Sequence, residues 1–243
     1  MLLAIDTATR TAGLALYDEE GVQAELTWRS RQNHTVELMN QIVHLLNLAR
    51  AGKHELTVIG VSLGPGSFTG LRVGMSVAKG LAFGCDIPLV AIPTLDSVAK
   101  AHAFQTLPIL AVLAAGRGRY SVAPYHALRG KVERVAEYAL VDASGMVELA
   151  KQATASSQSG TQARARRLFF CGEIDAPLKE ALVKGLGPRA CIASPAANLR
   201  RAGFLAELAW ERYRREEFDN PETLAPTYMP YASVEGATAG PRL

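Results

Sequence analysis

Three β-patterned runs crowd into the first 28 residues with only tight turns between them, and no helical periodicity begins before residue 35. A chain that opens this way lays down an antiparallel meander before any helix can cover it. Residues 2–5 form an apolar run that ends in Asp6-Thr7-Ala8-Thr9, and residues 13–17 and 22–28 follow across an acidic, glycine-ended turn at 18–21. The period then changes. Residues 35–51 repeat Leu38, Ile42, Leu45 and Ala49 at helical spacing. Residues 56–63, rich in Val, Ile and Thr, predict a strand running into Gly-Pro-Gly. A helix at 69–83, a strand at 88–92 and a helix at 95–104 complete the first third.

The second half repeats the order. Strands are predicted at 107–113, 119–126 and 132–140, the last two joined at Arg129-Gly130. A helix at 144–152, a small polar loop at 153–160, a strand at 168–171 and a helix at 176–184 follow. A long amphipathic helix spans 198–215, with Leu199, Ala202, Leu205, Leu208, Ala209 and Tyr213 on its buried side. Pro221, Pro226, Pro230 and Pro241 predict an irregular tail. The pattern divides the chain into 1–104, 105–220 and a tail at 221–243.

Composition narrows the class. A 243-residue chain that is 49% hydrophobic and 20% charged has the core of a globular protein. No uncharged apolar run approaches the roughly 18–20 residues that span a bilayer, and the opening MLLAIDTATR lacks the basic start of a secretory signal. Cys85, Cys171 and Cys191 form no CxxC pair, which fits a reducing cytoplasm. The net charge of +3 is too small to argue for nucleic-acid binding. Arg164, Arg166, Arg167, Arg200 and Arg201 read as solvated.

Two segments could carry chemistry. Asp6, Thr7 and Thr9 stand at the end of the first strand, where ligands bind in open α/β folds. The carboxylate could position a metal-bound phosphate, or simply bond its own turn. Gly64-Pro65-Gly66-Ser67-Phe68-Thr69-Gly70 connects a strand to a helix. Gly64, Gly66 and Ser67 could bring backbone N–H groups to an anion, or could only make a tight connection. The segment is neither a P-loop nor a dinucleotide fingerprint. The five histidines fall at no metal-binding spacing, no GxSxG elbow occurs, and no catalytic or metal residue is assigned. After 107–113 comes Ala114-Ala115-Gly116, with no carboxylate to hold the far side of a nucleotide. That argues against autonomous ATP chemistry.

The helices predict a surface. Beside Leu38, Ile42 and Leu45 runs a second apolar row, Met39, Val43 and Leu46, with Val36 beyond. Gly70, Gly74, Ala78 and Ala82 make a smooth stripe on the 69–83 helix, beside Leu71 and Met75. The surplus of apolar surface predicts a partner interface at Leu38, Met39, Ile42, Val43, Leu46, Leu71, Gly74, Met75 and Ala78, or else helices packed on the chain's own sheet and sandwiched inside it.

The motifs LLAIDTATRTAGLAL, His34-Thr35, GPGSFTGLRVG, AKGLAFG and IPLVAIPTLDSVA resemble the TsaB (YeaZ) family over roughly residues 2–100, and Pro226-Thr227-Tyr228 is similar to the family's C-terminal Pro-x-Tyr. Where members often carry Asp-Ala-Arg, this chain has Ala114-Ala115-Gly116. The resemblance implies a duplicated actin-like α/β fold, ASKHA and ribonuclease H-like, with two subdomains. It implies a non-catalytic, cytoplasmic subunit of the bacterial complex that transfers threonylcarbamoyl to N6 of an adenosine in tRNA. Its expected partners are a second copy or TsaD, gripped through the first two helices, with the TsaE ATPase as third protein, tRNA met through the complex, and no membrane. No cofactor is expected on the chain alone; ATP or ADP would sit at the subunit interface of the complex. The alternatives are an ATP-dependent small-molecule kinase of the acetate or sugar kinase type and a metalloprotease.

Overall fold

Every residue of the first strand, Leu2–Asp6 (β1), is buried. Such a strand must be paired on both edges and covered on both faces. On one edge it pairs antiparallel with Thr11–Asp18 (β2), which pairs antiparallel with Gly21–Arg29 (β3). After the helix His34–Leu48 (α1), the chain returns as Val58–Gly64 (β4), parallel to β1 on its other edge. The helix Phe68–Cys85 (α2) then leads to Leu89–Pro93 (β5), parallel to β4. The sheet order is β3-β2-β1-β4-β5. The structure, a computed structural model, describes residues 1–30, 34–155 and 167–228, without the side chains of residues 34, 35, 154 and 155.

A short helix, Thr94–Lys100 (α3), leads into the second sheet. Ile109–Gly116 (β6), Arg119–Leu128 (β7) and Lys131–Arg134 (β8) run antiparallel in turn, and Ala139–Asp142 (β9) pairs with the other half of β7. The helix Ala143–Ala155 (α4) follows. Leu168–Gly172 (β10) lies parallel to β6, and past the helix Ala176–Leu186 (α5) the three-residue strand Ala190–Ile192 (β11) lies parallel to β10. The order β11-β10-β6-β7-β8 is the first sheet's order repeated, three strands antiparallel and two parallel. Leu110, Val112 and Phe170 of this sheet pack on Met146 and Ala150 of α4 and Leu178 and Leu182 of α5.

The last helix, Ala202–Tyr213 (α6), goes back to the first sheet. Leu3, Ile5, Leu14, Leu16, Ile59 and Val61 face α1 and α2. Leu2, Ala4, Ala15, Val58 and Val90 on the opposite face meet Ala202, Leu205, Ala206 and Ala209 of α6. Small residues make this fit possible. A Cβ at Gly13 would stand 3.1 Å from the Ala202 Cβ, and one at Gly60 would stand 3.0 Å from the Ala209 Cβ.

The two compact units are therefore Met1–Ser97 with Arg200–Tyr228, and Val98–Leu199. This corrects the division at residues 104 and 220: the final helix covers the N-terminal sheet. That helix starts at Ala202 rather than at 198, and Leu199 is exposed rather than buried. The single strand expected at 132–140 is two strands, β8 and β9. Of the expected loop at 153–160, residues 153–155 belong to α4 and the rest lie outside the described residues, as does the tail beyond 228. Among the described residues, no helix is long and apolar enough to cross a membrane.

Candidate functional site

Because β1 is buried along its length, Asp6 arrives at its end out of reach of water, 2% exposed. A buried ionised carboxylate needs a cation and hydrogen-bond donors. The chain supplies both. Asp6 Oδ1 accepts the Ala8 N–H at 3.0 Å, which turns the backbone after the strand. Asp6 Oδ2 accepts the Arg200 Nε–H at 2.5 Å. The same guanidinium donates from Nη1 to Thr9 Oγ1 at 3.0 Å and from Nη2 to the Thr11 carbonyl at 2.6 Å. Arg200 is only 8% exposed, so its reading as a solvated arginine is corrected. Arg201 is exposed and pairs with Glu25 at 2.5 Å. Arg167 is exposed, and Arg164 and Arg166 lie outside the described residues.

The glycine-rich connection closes on the same turn. Thr7 donates its hydroxyl to the Gly70 carbonyl at 2.7 Å, and the Ser67 N–H donates to the Ala8 carbonyl at 2.6 Å. Ser67 Oγ caps α2 by accepting the Gly70 N–H at 3.3 Å. A side chain at Gly66 would collide with the Ala8 carbonyl, one at Gly70 with the Thr7 carbonyl, and one at Gly74 with the Thr7 hydroxyl. Gly64, at φ +114°, has the Thr227 carbonyl where its Cβ would be, and its N–H donates to Thr94 Oγ1 at 3.2 Å. These glycines thus let the chain's own backbone segments approach. The structure brings Asp6, Thr7, Thr9 and Ser67 into one hydrogen-bonded assembly, with Gly66 packed closely against the Ala8 backbone, and Gly64 lies against the C-terminal segment.

That segment was legible only as a motif. Thr227 donates its N–H to the Leu63 carbonyl at 2.8 Å. The Tyr228 ring lies 5.0 Å from Phe68, Arg72 sits 3.9 Å over the Phe68 ring, and Arg72 Nε donates to the Tyr228 hydroxyl at 3.3 Å. Pro226-Thr227-Tyr228 therefore fastens to the head of α2.

The expected partner surface divides. Leu38, Ile42, Leu71, Gly74, Met75 and Ala78 are buried in the first unit's own core, and so cannot meet another subunit in this fold. The stripe of Gly70, Gly74, Ala78 and Ala82 also faces inward. Val36, Met39 and Val43 are 71%, 42% and 53% exposed, and Leu46 is half-buried, making one row along α1. On α2, Phe83 is 90% exposed beside Gly80 and Gly84, where an added Cβ meets nothing within 4 Å. A glycine inside a helix costs about 1 kcal/mol relative to alanine. Packing among the described residues does not account for these two. Of the His34-Thr35 motif, the side chains lie outside the described residues.

In the second unit, Ala114–Gly116 extends into an exposed hairpin with Arg117 at φ +54°. The Ala114 N–H donates to Glu173 Oε2 at 3.1 Å. Tyr120 donates its hydroxyl to Asp175 Oδ1 at 2.6 Å, and Asp175 also caps α5 through the Leu178 N–H at 3.1 Å. Burial, and then the neighbouring Asp175, push the Tyr120 phenol up to about 12. Among the described residues, no three His, Cys, Asp or Glu side chains gather as metal ligands.

Comparison with known proteins gives a consistent picture. The family model for TsaD, tRNA N6-adenosine threonylcarbamoyltransferase, matches residues 20–237. The tRNA threonylcarbamoyladenosine biosynthesis protein TsaB of Bacillus subtilis is 31% identical over 235 residues, 96% of each chain. The protein of the same name from Haemophilus influenzae is 36% identical over 100 residues, 41% of this chain and 42% of that one. The structure of YeaZ from Pseudomonas aeruginosa superposes with a TM-score of 0.73 over 94% of this chain and 99% of that one, at 22% identity. The doubled sheet order is therefore the duplicated actin-like fold, of the ASKHA and ribonuclease H-like class.

Proposed function

The chain belongs to the TsaB (YeaZ) family of tRNA threonylcarbamoyladenosine biosynthesis proteins, and on that premise we propose that it is a non-catalytic subunit that docks on a TsaD-type transferase and activates it. The observation that carries this reading is the outer side of α1 and α2. Val36, Met39 and Val43 stand exposed in a row, and Phe83 projects beside two glycines that packing among the described residues leaves unexplained. Apolar knobs with glycines beside them suit close approach by another helix pair. The occupant is TsaD in the working complex and a second copy when TsaD is absent. TsaE joins as a third protein, tRNA is met through the complex, and ATP or ADP is held at the shared interface of that complex in the cytoplasm. The small-molecule kinase reading needs a free acid at the end of β1, and both Asp6 oxygens are already engaged. The metalloprotease reading finds no cluster of metal-ligand side chains among the described residues.

The test is co-purification with the TsaD of a bacterium, with tRNA modification assayed with and without this chain. The expected result is modification that depends on both proteins. Met39→Glu and Val43→Glu leave the melting temperature nearly unchanged, since both side chains are exposed, yet abolish co-elution and modification. Unchanged elution for both variants, or robust modification by this chain alone, overturns the proposal.

A further inference from the structure

A metal-bound nucleotide phosphate held at the end of the first strand would need a free carboxylate there and open backbone N–H groups in the glycine turn beside it. The residues at this place do not fit that group. Asp6 Oδ2 is taken by Arg200 Nε at 2.5 Å and Oδ1 by the Ala8 N–H at 3.0 Å. The Thr9 hydroxyl faces Arg200 Nη1 at 3.0 Å. In the glycine turn, the Ser67 N–H goes to the Ala8 carbonyl and the Gly70 N–H to Ser67 Oγ. A divalent cation on Asp6 would have to expel the guanidinium and then sit beside that unpaired charge, which a buried setting makes costly.

We infer that Arg200 is a built-in cation occupying the ligand position of Asp6, so that the turn after β1 and the head of α2 are assembled without any metal or nucleotide. The guanidinium suits the task because its fork reaches three acceptors on one turn at once: Asp6, Thr9 and the Thr11 carbonyl. A lysine, with one point charge, could not. Arg200 also stands two residues before α6, so the same bonds fasten the start of that helix to β1 and β2. Thr7, between Asp6 and Thr9, passes the order on to α2 through the Gly70 carbonyl. Arg200 does this whether or not the chain docks on TsaD.

The experiment melts the full chain, and titrates it calorimetrically with magnesium chloride and with magnesium–ADP. The wild type is expected to bind neither probe and to melt at the same temperature with or without millimolar magnesium. Arg200→Ala is expected to melt lower by about 10 °C, the scale for a broken buried pair in a chain of this size. Millimolar guanidinium chloride, against sodium chloride at equal ionic strength, is expected to restore part of that loss, which a merely structural gap would not show. Should Arg200→Ala fail to fold, the double variant Asp6→Asn/Arg200→Ala decides, because it removes the stranded carboxylate. Folding of the double variant, or melting above Arg200→Ala, supports the assignment. Magnesium–ADP binding by the wild type that Asp6→Asn abolishes would overturn it. So would a double variant no more stable than Arg200→Ala.

Discussion

A methyl group added at Gly74 would strike the Thr7 hydroxyl, whereas the same group at Gly80 meets nothing within 4 Å. The two substitutions should therefore act in opposite directions on one helix. Gly74→Ala is expected to destabilise the chain by about 1–3 kcal/mol, as overpacked sites do. Gly80→Ala should stabilise it by about 0.5–1 kcal/mol through helix propensity alone. Urea unfolding of both variants reads the sign directly. Tyr120 offers a second test at this scale. Its folded pKa, pushed up to about 12, lies above the unfolded value near 10, so the folded state keeps its proton longer. Stability from this group is whole below pH ~10 and is lost as pH rises through ~12. Stability measured in that window should fall with pH in the wild type and less steeply in Tyr120→Phe. Arg200 marks the limit of what single residues disclosed. A long basic side chain reads as solvated by default, and its partner Asp6 lies 194 positions away. The available signal was the acid itself, at the end of an all-apolar strand and in need of a cation.

Among elements, periodicity located the helices well and their facing less well. Leu38, Ile42 and Leu45 form one apolar row of α1, and Met39, Val43 and Leu46 the next. Spacing alone cannot say which row meets the sheet, because both have helical period and both are apolar. The sheet decides. Leu3, Ile5 and Leu16 bury the first row and leave Met39 and Val43 outside. Leu38→Ala should therefore cost about 2–5 kcal/mol, and Met39→Ala less than about 0.5 kcal/mol, in the same denaturant titration. Leu38→Glu and Met75→Glu, both core changes, should abolish folding rather than association. The interrupted edge of the second sheet was hidden for a different reason. Residues 132–140 look like one strand, yet β8 pairs with residues 125–128 of β7 and β9 with residues 119–122. The break falls beside Pro124, which has no N–H to donate and whose carbonyl accepts the Val135 N–H at 3.0 Å. A proline in one strand thus divides the neighbour, and no pattern within 132–140 records it.

At the scale of the whole chain, the doubled order of strands was legible because each half spells its own meander. The return of α6 was not, since a helix near the C-terminus reads by default as belonging to the half before it. Its alanines match glycines on β2 and β4 that are far away in sequence, Ala202 against Gly13 and Ala209 against Gly60. Without α6, one face of the first sheet, including Leu2, Ala4, Val58 and Val90, loses the helix that covers it. At about 25 cal/mol per Å² of apolar surface, an uncovered sheet face forfeits more than a small unit's whole margin of stability. Residues 1–104 alone should accordingly show no cooperative urea transition and should bind a hydrophobic dye. Joining residues 1–97 to 200–228 through a glycine–serine linker should restore a single cooperative transition, and Arg200→Ala in that joined chain should lower its midpoint, because Asp6 and Arg200 both lie in this unit. If residues 1–104 fold cooperatively alone, α6 is an accessory to the first sheet rather than its second layer.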